Sequence, residues 1–590
     1  MKKIIIIVLG CLSLMACNSA AVKNKTIATN QSLNSLFNNY WEQRMQLFPL
    51  EATAKGDNRY NDKLTIVIAE SFRKQLYNFY STYLDSVSAI DSNNLNDNDA
   101  LSMRVFKYEM RMNLEGLKYP THVMPINQFW AFTLDMAQLG SAQGNQPFKT
   151  IKDYNDFLKR LALFPAYVDT AIYNMRKGMA SGWVLPKSLV VKILPQLKAM
   201  IVKDPKTSIF YGAVRLLPDS FNAADKQRLS VAYTAAIQNI VVPTYEKLYH
   251  FFEDEYLPKA RTGSGIGDLP GGKEYYNYCI ENWTTTKLSA DSIYNLGLSE
   301  VARIEAEMDQ VIASTGYNGS RNDFFDFVNK DKHFFPFATA QEVIDSFWHI
   351  KKQEEPLLKK MFSDTPSTPF TIRQTEAFRE ASASAEYNQA SEDGSRPGIF
   401  YVPIPDAHKY NSIGMVTLFM HEAIPGHHYQ ISTQQENKNL PIFRRFLWYG
   451  AYGEGWALYS ESLGNEMGMY ANPYQHFGHL CDAMHRAIRL VVDVAIHTKG
   501  MSRENAIQYM MAHEAIDKAG AEAEIERYMA IPGQALSYKI GQLTIRAQRS
   551  MYEQKLGNRF NIAQFHKLVL KDGCLPLQML QDQLKVLDKQ

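Results

Sequence analysis

The chain has 590 residues, 46% of them hydrophobic and 21% charged, a composition that can pack a large core and lies far from that of a disordered chain. Its 63 Lys and Arg against 61 Asp and Glu give a formal charge of +2, an excess that Lys2 and Lys3 account for, so no basic footprint for nucleic acid is present. Five Cys with no C-x-x-C pair indicate neither a disulfide framework nor a cysteine zinc site.

Lys2 and Lys3 precede an apolar run from Ile4 to Met15, the length of a signal peptide and too short to span a bilayer. Leu14-Met15-Ala16-Cys17 resembles a bacterial lipobox. The resemblance implies removal of residues 1–16 and lipidation of the Cys17 thiol. Residues 17–31 are polar and rich in Ser, Asn and Lys, which suits a tether between membrane and folded body. Residues 32–590 read as mainly α. Met175-Arg176-Lys177-Gly178 marks the end of a helix that passes Ile172, and Gly263 to Gly272 is a glycine-rich interruption. Asp291 or Ser292 is the expected cap of a helix carrying Ile293, Leu296, Val301, Ile304, Met308 and Val311, with Gly316 as its stop. Thr339-Ala340-Gln341-Glu342 reads as a capping box, followed by Val343, Phe347 and Ile350 at helical spacing. Two short runs favour strands, Phe370 to Arg373 and Gly398 to Pro403, and form the expected small β element. Cys279, Cys481 and Cys574 are expected to be buried as small apolar residues.

Ser412 is the expected cap of the next helix, where Gly414 and Thr417 share a face with His421. That helix leads into His421-Glu422-Ala423-Ile424-Pro425-Gly426-His427-His428. In H-E-x-x-H motifs two His at i and i+4 bind zinc from one helix face and the Glu acts as general base. Here position i+4 is Pro425. On a regular helix His427 would point about 120° from His421, while His428 would share its face about 10.5 Å along the axis. Zinc holds imidazole nitrogens at about 2.0–2.1 Å, so an undistorted helix cannot bring both ends to one ion. Pro425 lacks an N–H and clashes with the preceding turn, and Gly426 reaches backbone angles closed to other residues. The pair predicts a two-residue bulge that returns His427 to where i+4 would be. His428 is the rival ligand, or else an imidazole beside the ligands or the substrate.

The eight-residue string is identified as the signature of a bacterial family of unknown function, DUF885. The resemblance extends to Phe48-Pro49-Leu50-Glu51-Ala52-Thr53, Gly56-Asp57, Gly453-Glu454-Gly455-Trp456-Ala457-Leu458-Tyr459 and Pro532-Gly533-Gln534-Ala535-Leu536-Ser537-Tyr538-Lys539. The family is similar to zinc peptidases of the gluzincin kind. That similarity implies one continuous helical body over 32–590, with two lobes around a central cleft and a junction near 263–272. It implies one Zn2+ per chain, held by His421, His427 and a Glu from an antiparallel second helix. Glu454 is the expected third ligand. Glu461 shares its face about 10.5 Å further on, and whichever of the two does not bind metal can hold a ligating His. Two His, one Glu and an open position make a catalytic zinc arrangement, with Glu422 as the proton carrier. Gluzincins also bind extended substrate along a strand edge, which by analogy gives the run Gly398 to Pro403 either that role or that of a small structural hairpin. Those of the converting-enzyme kind steady the oxyanion with a Tyr inside an Arg-Tyr pair. Arg527-Tyr528 matches that pair, with Tyr538 second, Arg527 orienting the ring and Lys539 pairing with a substrate carboxylate.

His485, Arg489 and Asp493 lie at i, i+4 and i+8 on an otherwise apolar helix. They form either a buried ion network or a cleft wall where His485 and Arg489 meet a substrate carboxylate. No G-x-S-x-G motif or glycine-rich phosphate loop competes. Two function classes follow. One is a zinc peptide hydrolase, lipid-anchored to a cell-envelope membrane and facing the periplasm or the surface. The other is a lipoprotein of the same fold that binds peptides or another partner without catalysis. The intact Glu422 favours the first.

Overall fold

The computed structural model describes residues 29–589, apart from 377–379, 381, 382, 393 and 395. The signal segment, the lipobox with Cys17 and all but the end of the tether fall outside these residues. The helices that position the site are, in chain order, α1 (Gly272–Thr284), α2 (Ala290–Ser314), α3 (Ala340–Leu358), α4 (Met415–Glu422), α5 (His427–Glu436), α6 (Gly450–Ser462), α7 (Pro473–Thr498), α8 (Lys518–Ala530) and α9 (Leu536–Leu556).

Local signals set most of these boundaries. α3 starts at a full capping box between Thr339 and Glu342, which satisfies backbone N–H groups that a helix start leaves open. α2 is capped by Ser289 rather than by Asp291 or Ser292, because the Ser289 side chain accepts from the Ser292 N–H. The helix expected to end at Gly178 runs on to Ser181 and stops at Gly182, whose φ of 81° is left-handed. Ser412 does not cap α4. Its N–H and hydroxyl both reach the Phe334 carbonyl, and Gly414 stands at the cap position.

The apolar faces gather into two buried clusters. One runs from Leu33 to Leu587 and includes Phe419, Met420 and Trp456. The other runs from Ile68 to Ala535 and includes Val491 and Tyr528. Each draws residues from both sides of the glycine-rich stretch. Part of that stretch is stitched to α7, where the Ile266 N–H donates to His497 Nδ1 at 2.9 Å. α2 packs along α7 and α6 along α9. The α6–α9 contact is close because Gly455 and Gly541 meet, and a Cβ on either would overlap the other helix's backbone.

A three-stranded sheet lies beside the site: β1 (Phe370–Gln374), β2 (Glu386–Asn388) and β3 (Gly398–Val402). Its order is β1-β3-β2. β3 runs parallel to β1 and antiparallel to β2. The edge-pairing role considered for Gly398 to Pro403 is therefore corrected, since β3 is the central strand, buried throughout and with both backbone edges taken. β2 was not legible, being three residues inside a polar run with too little length for an alternating pattern. Cys279 and Cys574 are buried, Cys481 is partly so, and all three are free thiols. Among the described residues no helix is long and apolar enough to cross a membrane.

Candidate metal centre

The motif helix breaks where Pro425 and Gly426 require it. α4 ends at Glu422 and α5 begins at His427. The Tyr429 N–H reaches back six residues to the Ala423 carbonyl at 3.3 Å, and the regular ladder resumes with Gln430 donating to Gly426 at 3.0 Å. A helix would close that ring over four residues, so two residues are inserted. The Pro425 carbonyl loses its helical partner and accepts instead from Trp456 Nε1 at 2.8 Å on α6. Gly426 is packed so closely that a Cβ would overlap the carbonyl oxygens of Met420 and His421. Gly426→Ala is expected to cost about 3 kcal/mol, the upper end of the usual cost of overpacking, and to move His427. A urea denaturation curve and a zinc assay check both effects; wild-type values in each would show the bulge to be tolerant.

The break delivers His427 to His421. Their rings stand 4.7 Å apart and nearly perpendicular. Glu454 Oε2 lies 3.6 Å from His421 Nε2 and 3.3 Å from His427 Nε2. These are long for charge-assisted hydrogen bonds, which run at about 2.7–2.9 Å. They match the edge of a tetrahedron, about 3.3 Å, whose centre lies about 2.0–2.1 Å from each donor. His421, His427 and Glu454 thus fit a zinc ion by donor type and by spacing. The cluster is 5% exposed at His421 and 16% at Glu454, so its opening to solvent lies on the Glu454 side.

The surroundings hold the donors in place. Glu461, itself 1% exposed, meets His421 Nδ1 at 2.7 Å and leaves Nε2 turned to Glu454. With His421 near both Glu461 and Glu454, and His427 near Glu454 alone, α6 runs antiparallel to the motif. His427 Nδ1 has no partner. Its ring packs instead, tilted, against Trp448 at 5.6 Å, and Gly453 makes room for that indole. Glu422 Oε2 is buried without a hydrogen-bond partner. Burial lowers His421's proton affinity, but hydrogen bonds to Glu454 and Glu461 overcome it and raise its pKa to about 10. Burial disfavours the Glu454 carboxylate, yet the two His beside it hold its pKa well below the usual range. Burial pushes Glu422 up, with His421 and His427 pulling against it.

The other expected site residues have partners of their own. His428 points away from the cluster, its Nδ1 2.9 Å from the Tyr387 hydroxyl and its ring 4.4 Å from Phe370. It ties α5 to the sheet, and burial brings its pKa down to about 4. Lys539 is 1% exposed. It faces Glu300 of α2 at 3.4 Å and Gln542 at 2.9 Å. His485 bridges Glu514 and Glu524 at 2.9 and 3.2 Å. Arg489 binds Glu524 and Tyr528, each at 3.0 Å, and its guanidinium lies 4.6 Å over the Tyr538 ring. Asp493 accepts from the Tyr276 hydroxyl at 2.6 Å and from the Gly533 N–H. Tyr528, 1% exposed, donates to Glu524 at 2.7 Å and accepts from Arg489. Tyr538 is half-buried and accepts from Arg527 at 3.3 Å and from Gln534 at 3.4 Å. Trp448, Tyr387, Trp456 and Gln534 were not singled out for these contacts; only the glycines around Glu454 hinted at Trp448.

Fold and cluster together define a mainly α protein with a candidate His2Glu metal centre built across a broken helix. The chain belongs to the DUF885 family of bacterial proteins of unknown function, whose profile matches residues 49–584. It is similar to the crystal structure of a lipoprotein candidate from Colwellia psychrerythraea, at 28% identity and a TM-score of 0.89 over 96% of this chain and 100% of that one. A lipoprotein candidate of unknown function from Shewanella oneidensis shares the fold at 20% identity, with a TM-score of 0.70 over 94% of this chain and 99% of its own. No curated protein matches the chain.

Proposed function

We propose that this protein is a zinc-dependent peptide hydrolase held to a cell-envelope membrane by a lipid on Cys17. It is a gluzincin-like reading of the DUF885 fold. The observation that carries it is the grouping of His421, His427 and Glu454, with Glu454 Oε2 3.6 and 3.3 Å from the two Nε2 atoms, and with Glu422 Oε2 buried and unpartnered in their field.

A zinc ion bound there supplies a Lewis acid that polarises the scissile carbonyl and activates water. The chain's own groups do the rest. Glu422 takes a proton at Oε2 and returns it to the leaving amine; its raised proton affinity suits both steps. Glu461 fixes the His421 ring and increases its basicity. Among the described residues β2 pairs only with β3. Its Tyr387 and Asn388, with Trp448, line a cavity of 290 Å³, so the edge suited to an extended peptide is that of β2.

The oxyanion donor in this reading is Tyr538. Its oxygen accepts from Arg527 and Gln534, which leaves its own proton to give. The Tyr528 proton is already given to Glu524. Tyr538→Phe is expected to lower kcat about 10²-fold with KM and zinc content little changed. Tyr528→Phe should act on the melting temperature and leave kcat within a few-fold. Steady-state kinetics on both variants decide, and the opposite pattern would return the role to Tyr528.

The membrane tether rests on the lipobox and on the description of both structural neighbours as lipoprotein candidates. Cys17→Ser should shift the protein from the membrane pellet to the soluble fraction; an unchanged pellet would exclude the lipid as its anchor. The hydrolase reading is tested by digesting a mixed peptide pool with and without a chelator and reading the products by mass spectrometry. Chelator-sensitive cleavage is expected. An intact pool at full zinc loading would leave a binding protein.

A further inference from the structure

Beside the centre lies a cavity of about 560 Å³ that none of the three donors lines, within the size range of sites that take small ligands. Its wall holds Arg44, Arg73 and Arg261 and no Asp or Glu. Arg44 is neutralised by Glu51 at 3.0 Å. Among the described residues Arg73 has no acid within salt-bridge distance, only the exposed Glu70 nearby, and its guanidinium donates to the carbonyls of Leu117 and Tyr119, at 2.7 and 3.1 Å. Arg261 likewise spends its hydrogen bonds on carbonyls, with its nearest acid, the exposed Asp268, at 3.7 Å. Carbonyls satisfy donors without cancelling charge, so Arg73 and Arg261, whose neighbouring acids Glu70 and Asp268 are exposed, stay cationic donors at the wall. Between these cations the lining is aromatic, with Trp130 and Trp283 paired at 5.9 Å at one side.

The cavity adjoins the centre at two places. Trp283 packs against Gly450, one helical turn before Glu454 on α6. Pro532 ends the stretch Met529–Pro532 of the wall and leads into Gln534 and Tyr538.

We propose that this cavity is a substrate subsite that selects peptides carrying a carboxylate, held against Arg73 and Arg261 and flanked by aromatic rings. The proposal rests on the reading of the centre as a peptide hydrolase. The carboxylate comes either from an acidic side chain or from the peptide's C-terminus, and the test separates the two. Zinc-loaded full-length protein carrying Glu422→Gln is titrated with fluorescently labelled Ala-Phe-Glu-Phe-Ala and Ala-Phe-Gln-Phe-Ala, each as free acid and as C-terminal amide, and binding is read by anisotropy. One carboxylate source should bind at least 10-fold tighter than its neutral counterpart, the size expected of one hydrogen bond to a charged group, and the gap should narrow with added salt. Arg73→Gln should abolish the preference and Arg73→Lys should keep part of it, with unchanged melting temperatures. Equal binding of charged and neutral peptides, or a preference that survives Arg73→Gln, overturns the proposal. The hydrolase reading fails separately: wild-type protein that shows the preference but cuts none of the four peptides keeps the subsite and loses the catalysis.

Discussion

Glu422→Gln is expected to cut peptide turnover about 10⁴-fold, the top of the range for a lost general acid–base group, while zinc stays at one ion per chain. The substitution preserves shape and removes only the capacity to carry a proton. Glu422 Oε2 is buried and has no hydrogen-bond partner in the protein, so nothing nearby inherits its role. His421, His427 and Glu454 keep their spacing because other groups set it, namely Glu461, Trp448 and the Pro425 bulge. Turnover and zinc content, measured on the same preparation, check the claim. A Gln variant within ten-fold of wild type would remove Glu422 from the chemistry, and a Gln variant empty of zinc would make it part of the metal site.

The second large effect is on the metal. His421→Ala and His427→Ala should each bring zinc close to zero, and His428→Ala should keep it. The two losses should differ in stability. Removing His421 strips Glu461, 1% exposed, of its 2.7 Å partner; breaking a buried pair in this way costs about 3 kcal/mol. Removing His427 breaks only its 3.3 Å polar contact with Glu454, which keeps His421 beside it, so its metal-free variant should lose less stability than that of His421→Ala. Elemental analysis with thermal melts reads both, and zinc retained in His427→Ala but lost in His428→Ala would reverse the ligand assignment. pH adds a further check. In the metal-free protein His421 holds a proton up to about pH 10. Its stabilising pairing with Glu454 and Glu461 is fully present below about pH 6.5, the ordinary His value, and is lost as pH rises through 10. Zinc must displace that proton, so zinc affinity should rise with pH across this window and uptake should release acid.

The helical class, the capping box at Thr339 and the Pro-Gly insertion were legible because each is a short-range constraint. A proline without an N–H, a glycine that alone fits, and apolar residues at a period of about 3.6 act within a few turns of chain. The same local logic indicated that His421 and His427, not neighbours on a regular helix, need a bulge to meet. It narrowed the third donor to Glu454 or Glu461, face-mates about two turns apart.

Which of these faces the cluster was decided by how α6 lies antiparallel to α4, gripping the Pro425 carbonyl through Trp456 and closing on α9 at Gly455 and Gly541. That crossing puts Glu454 between the two His and leaves Glu461 behind His421. Tyr528 and Tyr538 could not be ranked from their order in the chain, because what separates them is the company of Glu524 and Arg489 on one side and of Arg527 and Gln534 on the other. Lys539 turns to Glu300, more than two hundred residues away, and β2 is held by pairing with β3 rather than by its own three residues. Sequence spacing carries the geometry of one helix or one turn. The partner of a side chain on another element depends on how two elements pack, and that is set by the whole core.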